Sequence, residues 1–271
     1  MQIRHPGSFG RGYESIVERG GPNADMLMDF GIVSLGPGES WAAGAADEKA
    51  LLLMGGEVEF SWPSGKASAA RSSLFDESPA VLHLPSGADA GLRAGPRGAE
   101  LCVMRTDNGT SFPAHFYAPA ECRSEERGKG TMRETSTRIV RTVFDDSNAP
   151  KAKLVVGEVV GVPGKWSSYP PHHHPQPEIY HYRFLPARGF GLTAIGDEAC
   201  IIKDKDTILI REKQSHPHVT APGYAMWYLW VIRHLDCNRY APPYPTFVDE
   251  HAWVMSPDAD IWSMPSERGK R

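Results

Sequence analysis

Two histidines and a glutamate fall within seven residues of one another in WSSYPPHHHPQPEIYHYRF, residues 166–184. His172 and His174 are two apart, and on an extended chain such side chains point to the same face. Glu178 follows four residues after His174. The intervening Pro175 and Pro177 favour a turn that can aim its carboxylate back at the imidazoles. A third imidazole can come from SHPHVTAPGY, which carries His216 and His218 on a shared face. Three imidazoles and one carboxylate suit one borderline divalent ion, with positions left for water or substrate. Zinc heads that list, and manganese, iron and nickel share the donor preference. The alternative for the triplet alone is a polar surface loop that happens to be rich in histidine.

Such groups need rigid elements to hold them, and the chain offers strands. The 27 glycines and 23 prolines are spread along its length and separate short apolar runs, as turns separate strands. The first half carries FGIVSLGPGESW, KALLLMGGEVEFSW, PAVLHLPSG and AELCVMRT. In GEVEFSW, Val58, Phe60 and Trp62 alternate with polar residues, as a half-buried strand requires. No 3.6-residue period runs through residues 24–106. From about 107 to 135 the chain is polar and aperiodic and reads as a connection, with one long surface loop of a single sandwich as the alternative. The second half repeats the grammar in STRIVRTVF, KLVVGEVVGVPGKWSS, EIYHYRFL, FGLTAIG, ACIIKDKDTILI and YAMWYLWVIRHL. MDFGIVSLGPGESW and KLVVGEVVGVPGKW both run from an apolar strand into P-G-x-x-W, which points to an internal duplication. The expected fold is all-β, with two stacked barrels or jelly rolls: residues 1–130 with the linker, and residues 131–271.

Composition narrows the function. The net charge of −4 at pH 7 argues against a nucleic-acid partner, since basic residues are interspersed with acidic ones except in the terminal ERGKR. No apolar stretch approaches the roughly 18–20 residues of a membrane span, and MQIRHPGSFGRGYES lacks the apolar centre of a signal peptide. Cys102, Cys122, Cys200 and Cys237 form no CxxC pair and are expected to be reduced thiols in the cytoplasm. Exposed barrel edges favour a homo-oligomer.

The order glycine, H-x-H-x3-E and a downstream histidine is the cupin pattern, here Gly164, His172, His174, Glu178 and His216. WSSYPPHHH, EIYHYRF, HPHVTAPGYAMWYL and RGKGTMRETSTRIVRTVF resemble the 5-deoxyglucuronate isomerases of myo-inositol catabolism. These are bicupins related to the 5-keto-4-deoxyuronate isomerases. RHPGSFGRG, LGPGES, SLFDESPAVLHLPSG and DEHAWV extend the likeness over nearly the full length. The resemblance implies a bicupin of two tandem double-stranded β-helix barrels, with a metal held by His172, His174, Glu178 and His216. It leaves His173 and His218 as non-ligands, although His218 stays open on its shared face. The amino-terminal barrel has no H-x-H, and with His83 and His115 each standing alone it is expected to hold no metal. This chain departs from the family where H-K-H becomes His172-His173-His174, where the loop before Glu178 shortens to PQP, and in HLDCNRYAPPYPTF.

The implied reaction is the aldose-to-ketose conversion of 5-deoxy-D-glucuronate to 5-dehydro-2-deoxy-D-gluconate, with a small sugar acid as the partner molecule. Alternation puts Glu178, Tyr180, Tyr182 and Phe184 on one face, taken as the barrel interior. Tyr180 and Tyr182 are thus candidates to position substrate or relay a proton beside Glu178, against a plain packing role. Tyr224, Tyr228 and Arg183 are the candidates for substrate contact. Alternation turns Arg183 away from Glu178, so an ion pair competes with a carboxylate clamp there. Rival functions for the same ligands are isomerisation of another uronate, a metal-dependent dioxygenase, and a non-enzymatic small-molecule binder.

Overall fold

The apolar runs fold as strands throughout the computed structural model, which describes residues 1–242 and 245–265. The terminal ERGKR lies outside the described residues. In the amino-terminal unit, one eight-stranded antiparallel sheet carries the central order Gly12–Val17, Asp29–Leu35, Gly91–Thr106, Glu48–Trp62 and Val81–Leu84. Its two long strands change register between Leu53 and Gly55 and again between Gly56 and Val58. At that corner Gly56 has φ +89°, and a Cβ would meet the Gly98 carbonyl oxygen at 2.1 Å. Only glycine permits so close a backbone approach. The bend closes the sheet around an apolar interior that includes Leu51, Leu53, Phe60, Leu82, Leu101 and Val103.

The carboxy-terminal unit repeats this order in Arg138–Phe144, Leu154–Gly161, Ala225–Arg233, Glu178–Leu185 and Thr207–Ile210. A four-stranded sheet of Trp166–Ser167, His218–Thr220, Phe190–Ile195 and Glu198–Lys203 faces it. Tyr180, Tyr182, Tyr228, Ile195 and Ile202 share the interior between them. The two similar segments fall on matching strands, Asp29–Leu35 and Leu154–Gly161. Both then turn at a Pro-Gly whose glycine has positive φ, +73° at Gly38 and +75° at Gly164.

Two pieces from the amino-terminal half belong to the carboxy-terminal sheet. Gln2–Ile3 pairs with Thr207 and Ile208, and Arg123–Arg127 pairs with Arg138–Thr142. The second lies within the stretch read as a polar connection. Its five residues are all exposed, because a charged edge strand blocks further pairing and needs no apolar face.

The two large sheets pack face to face. One core joins Phe30, Leu52, Met54 and Met104 of the first to Leu154, Ile179, Trp227 and Leu229 of the second. Charges are buried inside this layer. The Glu158 carboxylate accepts from Arg71 at 2.7 Å and Arg141 at 2.8 Å. Glu48 accepts from Asn108 at 2.6 Å and from the Lys153 backbone N–H at 2.8 Å, and its other oxygen lies 2.9 Å from His83 Nε2. Burial alone would raise the Glu48 pKa, but these hydrogen bonds outweigh it and hold the carboxyl below its ordinary value.

Removing one member of a buried charge cluster leaves its partners uncompensated, at a cost of about 3–5 kcal/mol. Glu158→Gln is therefore expected to lower the urea midpoint by that equivalent with unchanged slope. Glu126→Gln, on the exposed edge strand, is expected to stay within about 0.5 kcal/mol. For Glu48 the folded pKa lies below the unfolded one. Its contribution is complete above the unfolded value of about 4.3 and is lost as pH falls through the folded value. Urea titrations should find Glu48→Gln less stable than wild type at pH 7, with the gap closing below about pH 4.

Candidate metal centre

The strand Glu178–Leu185 runs between Thr207–Ile210 and Ala225–Arg233, and its first residue sits at the mouth of the carboxy-terminal barrel. His172 belongs to a two-residue strand paired with Thr246–Phe247. After His174 the Pro175-Gln176-Pro177 turn brings Glu178 back under the histidines. Gln176 is buried there and donates to the Asn238 carbonyl at 2.7 Å. His216 enters from the loop before His218–Thr220. The result is a buried trio, His174, Glu178 and His216, whose potential ligand atoms all lie within 4.8 Å of one another. Glu178 Oε2 is 3.2 Å from His174 Nε2 and 3.4 Å from His216 Nε2. The His172 ring stands edge-on to His216, 4.9 Å between centroids.

Backbone carbonyls fix the tautomers. Nδ1 of His172 lies 3.0 Å from the Pro170 oxygen, Nδ1 of His174 lies 2.9 Å from Gln176, and Nδ1 of His216 lies 2.9 Å from Gln214. A carbonyl can only accept, so each Nδ1 carries the proton and each Nε2 presents a lone pair. Burial, then the neighbouring His216 and His174 rings, pushes the His172 pKa well below its ordinary value. Burial lowers His216 too, outweighing the Glu178 carboxylate that opposes it. Nε2 of His174, Nε2 of His216 and the Glu178 carboxylate thus converge, and His216 Nε2 is buried without a hydrogen-bond partner. This donor set fits a divalent cation.

The trio opens into a cavity whose envelope, open solvent at its mouth included, is about 650 Å³. His172, Tyr180, Tyr228, Ser167, Ser168 and Arg138 line it. Ser167 Oγ and the Tyr228 hydroxyl are 2.6 Å apart, and Ser168 Oγ is 3.4 Å from the Tyr180 hydroxyl. Burial and then the Glu178 charge raise the Tyr180 pKa well above its ordinary value, so its hydroxyl stays a donor. Burial pushes the Tyr228 pKa up to about 12.

Other candidates lie elsewhere. Tyr182 sits on the interior face below the cavity, its hydroxyl buried without a partner. Tyr224 packs against Phe190 with centroids 6.2 Å apart and does not line the cavity. Arg183 is corrected as a substrate contact. Odd positions of its strand face the other barrel, where Arg183 donates to Glu100 at 2.6 Å and to His181 Nε2 at 2.5 Å. His218 packs edge-on to Tyr228 at 4.6 Å, outside the trio, and His173 does not line the cavity. Arg138, Ser167 and Ser168 are cavity residues that sequence reasoning missed. The available signal for Arg138 was its period-two spacing from the interior Val140.

The amino-terminal barrel fills the same positions differently. Lys49 pairs with Leu84 and Arg105 as Glu178 pairs with Ile210 and Ile232, so a cation stands where the other barrel has a carboxylate. Lys49 donates to the Ala88 carbonyl at 2.8 Å, and burial followed by Arg105 lowers its pKa to about 8. Leu51 and Leu53 occupy the positions of Tyr180 and Tyr182. His83 stacks on Phe144 at 4.2 Å, and exposed His115 lies 2.9 Å from Glu121.

The model of the KduI/IolB family matches residues 3–254. The 5-deoxy-glucuronate isomerase of Geobacillus thermodenitrificans (strain NG80-2) is 31% identical over 175 residues, 58% of this chain and 59% of that protein. The matched stretch thus spans less than two thirds of that relative's length. Among solved structures, an IolB-like protein of Salmonella typhimurium LT2 superposes with a TM-score of 0.79 at 24% identity, covering 92% of this chain and 97% of that one. The formate complex of Lactobacillus farciminis oxalate decarboxylase gives 0.65 at 11% identity, with 92% and 88% covered. At these identities the structural likeness concerns the fold, which is that of the bicupins.

Replacing His174, His216 or Glu178 by alanine is expected to reduce divalent-metal affinity at least about 100-fold, since second-shell changes alone cost 10–100-fold. His218→Ala should keep wild-type metal content. Elemental analysis after dialysis against a weak chelator checks both, with circular dichroism to show that the strands persist.

Proposed function

The chain belongs to the KduI/IolB family, and on that premise we propose that it is an enzyme, an isomerase converting 5-deoxy-D-glucuronate to 5-dehydro-2-deoxy-D-gluconate in myo-inositol catabolism. The observation that carries this reading is the convergence of histidine lone pairs on a buried carboxylate, inside a cavity lined by tyrosine and serine hydroxyls. The names of the curated relatives support the same activity.

In this reading His172, His174, Glu178 and His216 hold one divalent ion, zinc by preference. Such an ion supplies Lewis-acid polarisation of a carbonyl and its adjacent hydroxyl. The reaction moves one proton from C2 to C1 and another from O2 to O1. Tyr180, kept protonated by burial, donates to a substrate oxygen and holds a proton there. Tyr228, tied to Ser167, orients the sugar from the opposite wall. Tyr182 supports both rings from below, 6.2 Å from Tyr180 and 5.5 Å from Tyr228 between centroids. Glu178 is engaged as a ligand, which removes it from the proton shuttle unless it detaches. The amino-terminal barrel, within residues 1–130, is the metal-free companion of the unit at 131–271, to whose sheet Gln2–Ile3 and Arg123–Arg127 add edge strands.

The setting we propose is the cytoplasm, and no helix among the described residues is long and apolar enough to cross a membrane. Trp166, Val219, Leu192 and Ile201 lie in one cross-strand row on the four-stranded sheet. Three of these are exposed large apolar side chains, which supports assembly into a homo-oligomer.

Incubation with 5-deoxy-D-glucuronate is expected to produce the ketone carbon signal in 13C NMR without oxygen uptake. Chelation should abolish the signal and added divalent ion should restore it. Turnover of 5-keto-4-deoxyuronate alone would move the assignment to that sugar. Failure to turn over either sugar would overturn the isomerase reading.

A further inference from the structure

Among the described residues five arginines are almost fully buried: Arg71, Arg138, Arg141, Arg183 and Arg233. Four of them have a carboxylate. Arg71 and Arg141 meet Glu158, Arg183 meets Glu100 at 2.6 Å, and Arg233 meets Asp107 and Asp236 at 3.2 Å each. Arg138 is only 7% exposed and has no ion-pair partner among the described residues. Its one hydrogen bond there runs from Nη1 to the Ser136 carbonyl at 2.8 Å. A buried guanidinium left in this state is costly.

The surroundings add to that cost. Arg138 pairs directly with Arg127 across neighbouring strands, and like charges in that relation destabilise a sheet. Both arginines line the cavity that holds His172, His174 and Glu178. Arg127 is offset by Glu125, to which its Nε donates at 2.9 Å, whereas Arg138 lines the cavity with no carboxylate within ion-pair distance among the described residues. A ligand that brings a negative charge would relieve both the burial and the cross-strand repulsion.

We propose that Arg138, with Arg127 beside it, is the subsite for the carboxylate of the substrate and selects sugar acids over neutral sugars. The proposal rests on the isomerase reading of the same cavity. The metal-ligand cluster then takes the C1–C2 end of the sugar, and the arginine pair takes the distal carboxylate. The planar guanidinium fork matches a carboxylate in two parallel hydrogen bonds, which a lysine ammonium cannot reproduce.

The test uses the metal-loaded wild type, Arg138→Gln and Arg138→Lys, with 5-deoxy-D-glucuronate and the neutral 5-deoxy-D-glucose as substrates. D-glucuronate serves as a binding probe by titration calorimetry. Arg138→Gln is expected to raise KM for the acid about 10- to 100-fold, the loss of a charge-assisted hydrogen bond. Its metal content and its KM for the neutral sugar should not change, and Arg138→Lys should recover part of the loss. Equal KM values for the acid in wild type and both variants would overturn the proposal. If wild type turns over neither sugar, the isomerase reading fails on its own. The carboxylate subsite then stands if glucuronate binds wild type at least 10-fold more tightly than Arg138→Gln, and falls if the affinities match.

Discussion

Alternation along Glu178–Leu185 has to serve two cores at once, because neither face of that strand meets water before the exposed Leu185. Glu178, Tyr180, Tyr182 and Phe184 point into their own barrel, while Ile179, His181 and Arg183 point into the layer between the barrels. A slip of one residue would exchange the two sets, putting the carboxylate into an apolar interface and an isoleucine at the metal cluster. The site therefore depends on the packing that fixes this register. The chain from Glu100 through Arg183 and His181 to Thr207 fixes it on the outer face. His181 must be neutral to accept from Arg183, and burial followed by that arginine keeps its pKa well below the ordinary value.

The layer between the barrels is specified by charge as much as by apolar contact. Arg141 donates to the Leu74, Phe75 and Glu77 carbonyls as well as to Glu158, so it ties the turn after Arg71 to the second sheet. Glu48 reaches the backbone N–H groups of Lys153 and Leu154 at the start of the strand that matches Asp29–Leu35 in the strand order. Apolar faces slide at little cost, whereas these groups are satisfied in one docking only. That docking holds the outer face of the Glu178 strand in place, so the interface and the site are mechanically continuous.

Much of this was legible from residue spacing. Period-two alternation identified the interior face that carries Glu178 and Tyr180, and the repeated P-G-x-x-W grammar marked strands that occupy matching places. The chemistry of side chains on irregular backbone was harder to see. His216 and His218 share a spacing with His172 and His174, yet only His216 joins the trio, because the choice depends on where a loop ends. Arg123–Arg127 was invisible as a strand, since an edge strand with no apolar face has no period to detect. Arg138 looked like one basic residue among many. Its burial and its missing anion emerge only when the neighbouring strands are assembled.

Two copies of one strand order have become chemically opposite, and the energetics explain why both are needed. The amino-terminal interior is almost wholly apolar, and the buried Lys49 is satisfied by a backbone carbonyl, its pKa lowered to about 8 by burial and then Arg105. The carboxy-terminal interior gives up such packing for three buried histidines, a carboxylate, an arginine and three tyrosines. Several of these groups, among them His216 Nε2, His218 Nε2 and the Tyr182 hydroxyl, have no protein partner. Each such group costs roughly 1–3 kcal/mol in a protein whose whole stability is of order 5–15 kcal/mol. A barrel with that interior needs apolar burial from outside itself. The shared layer provides it, covering the Glu178 strand with Phe30, Met28 and Met104 from the other barrel. On this account the amino-terminal barrel carries the stability that a polar interior cannot supply.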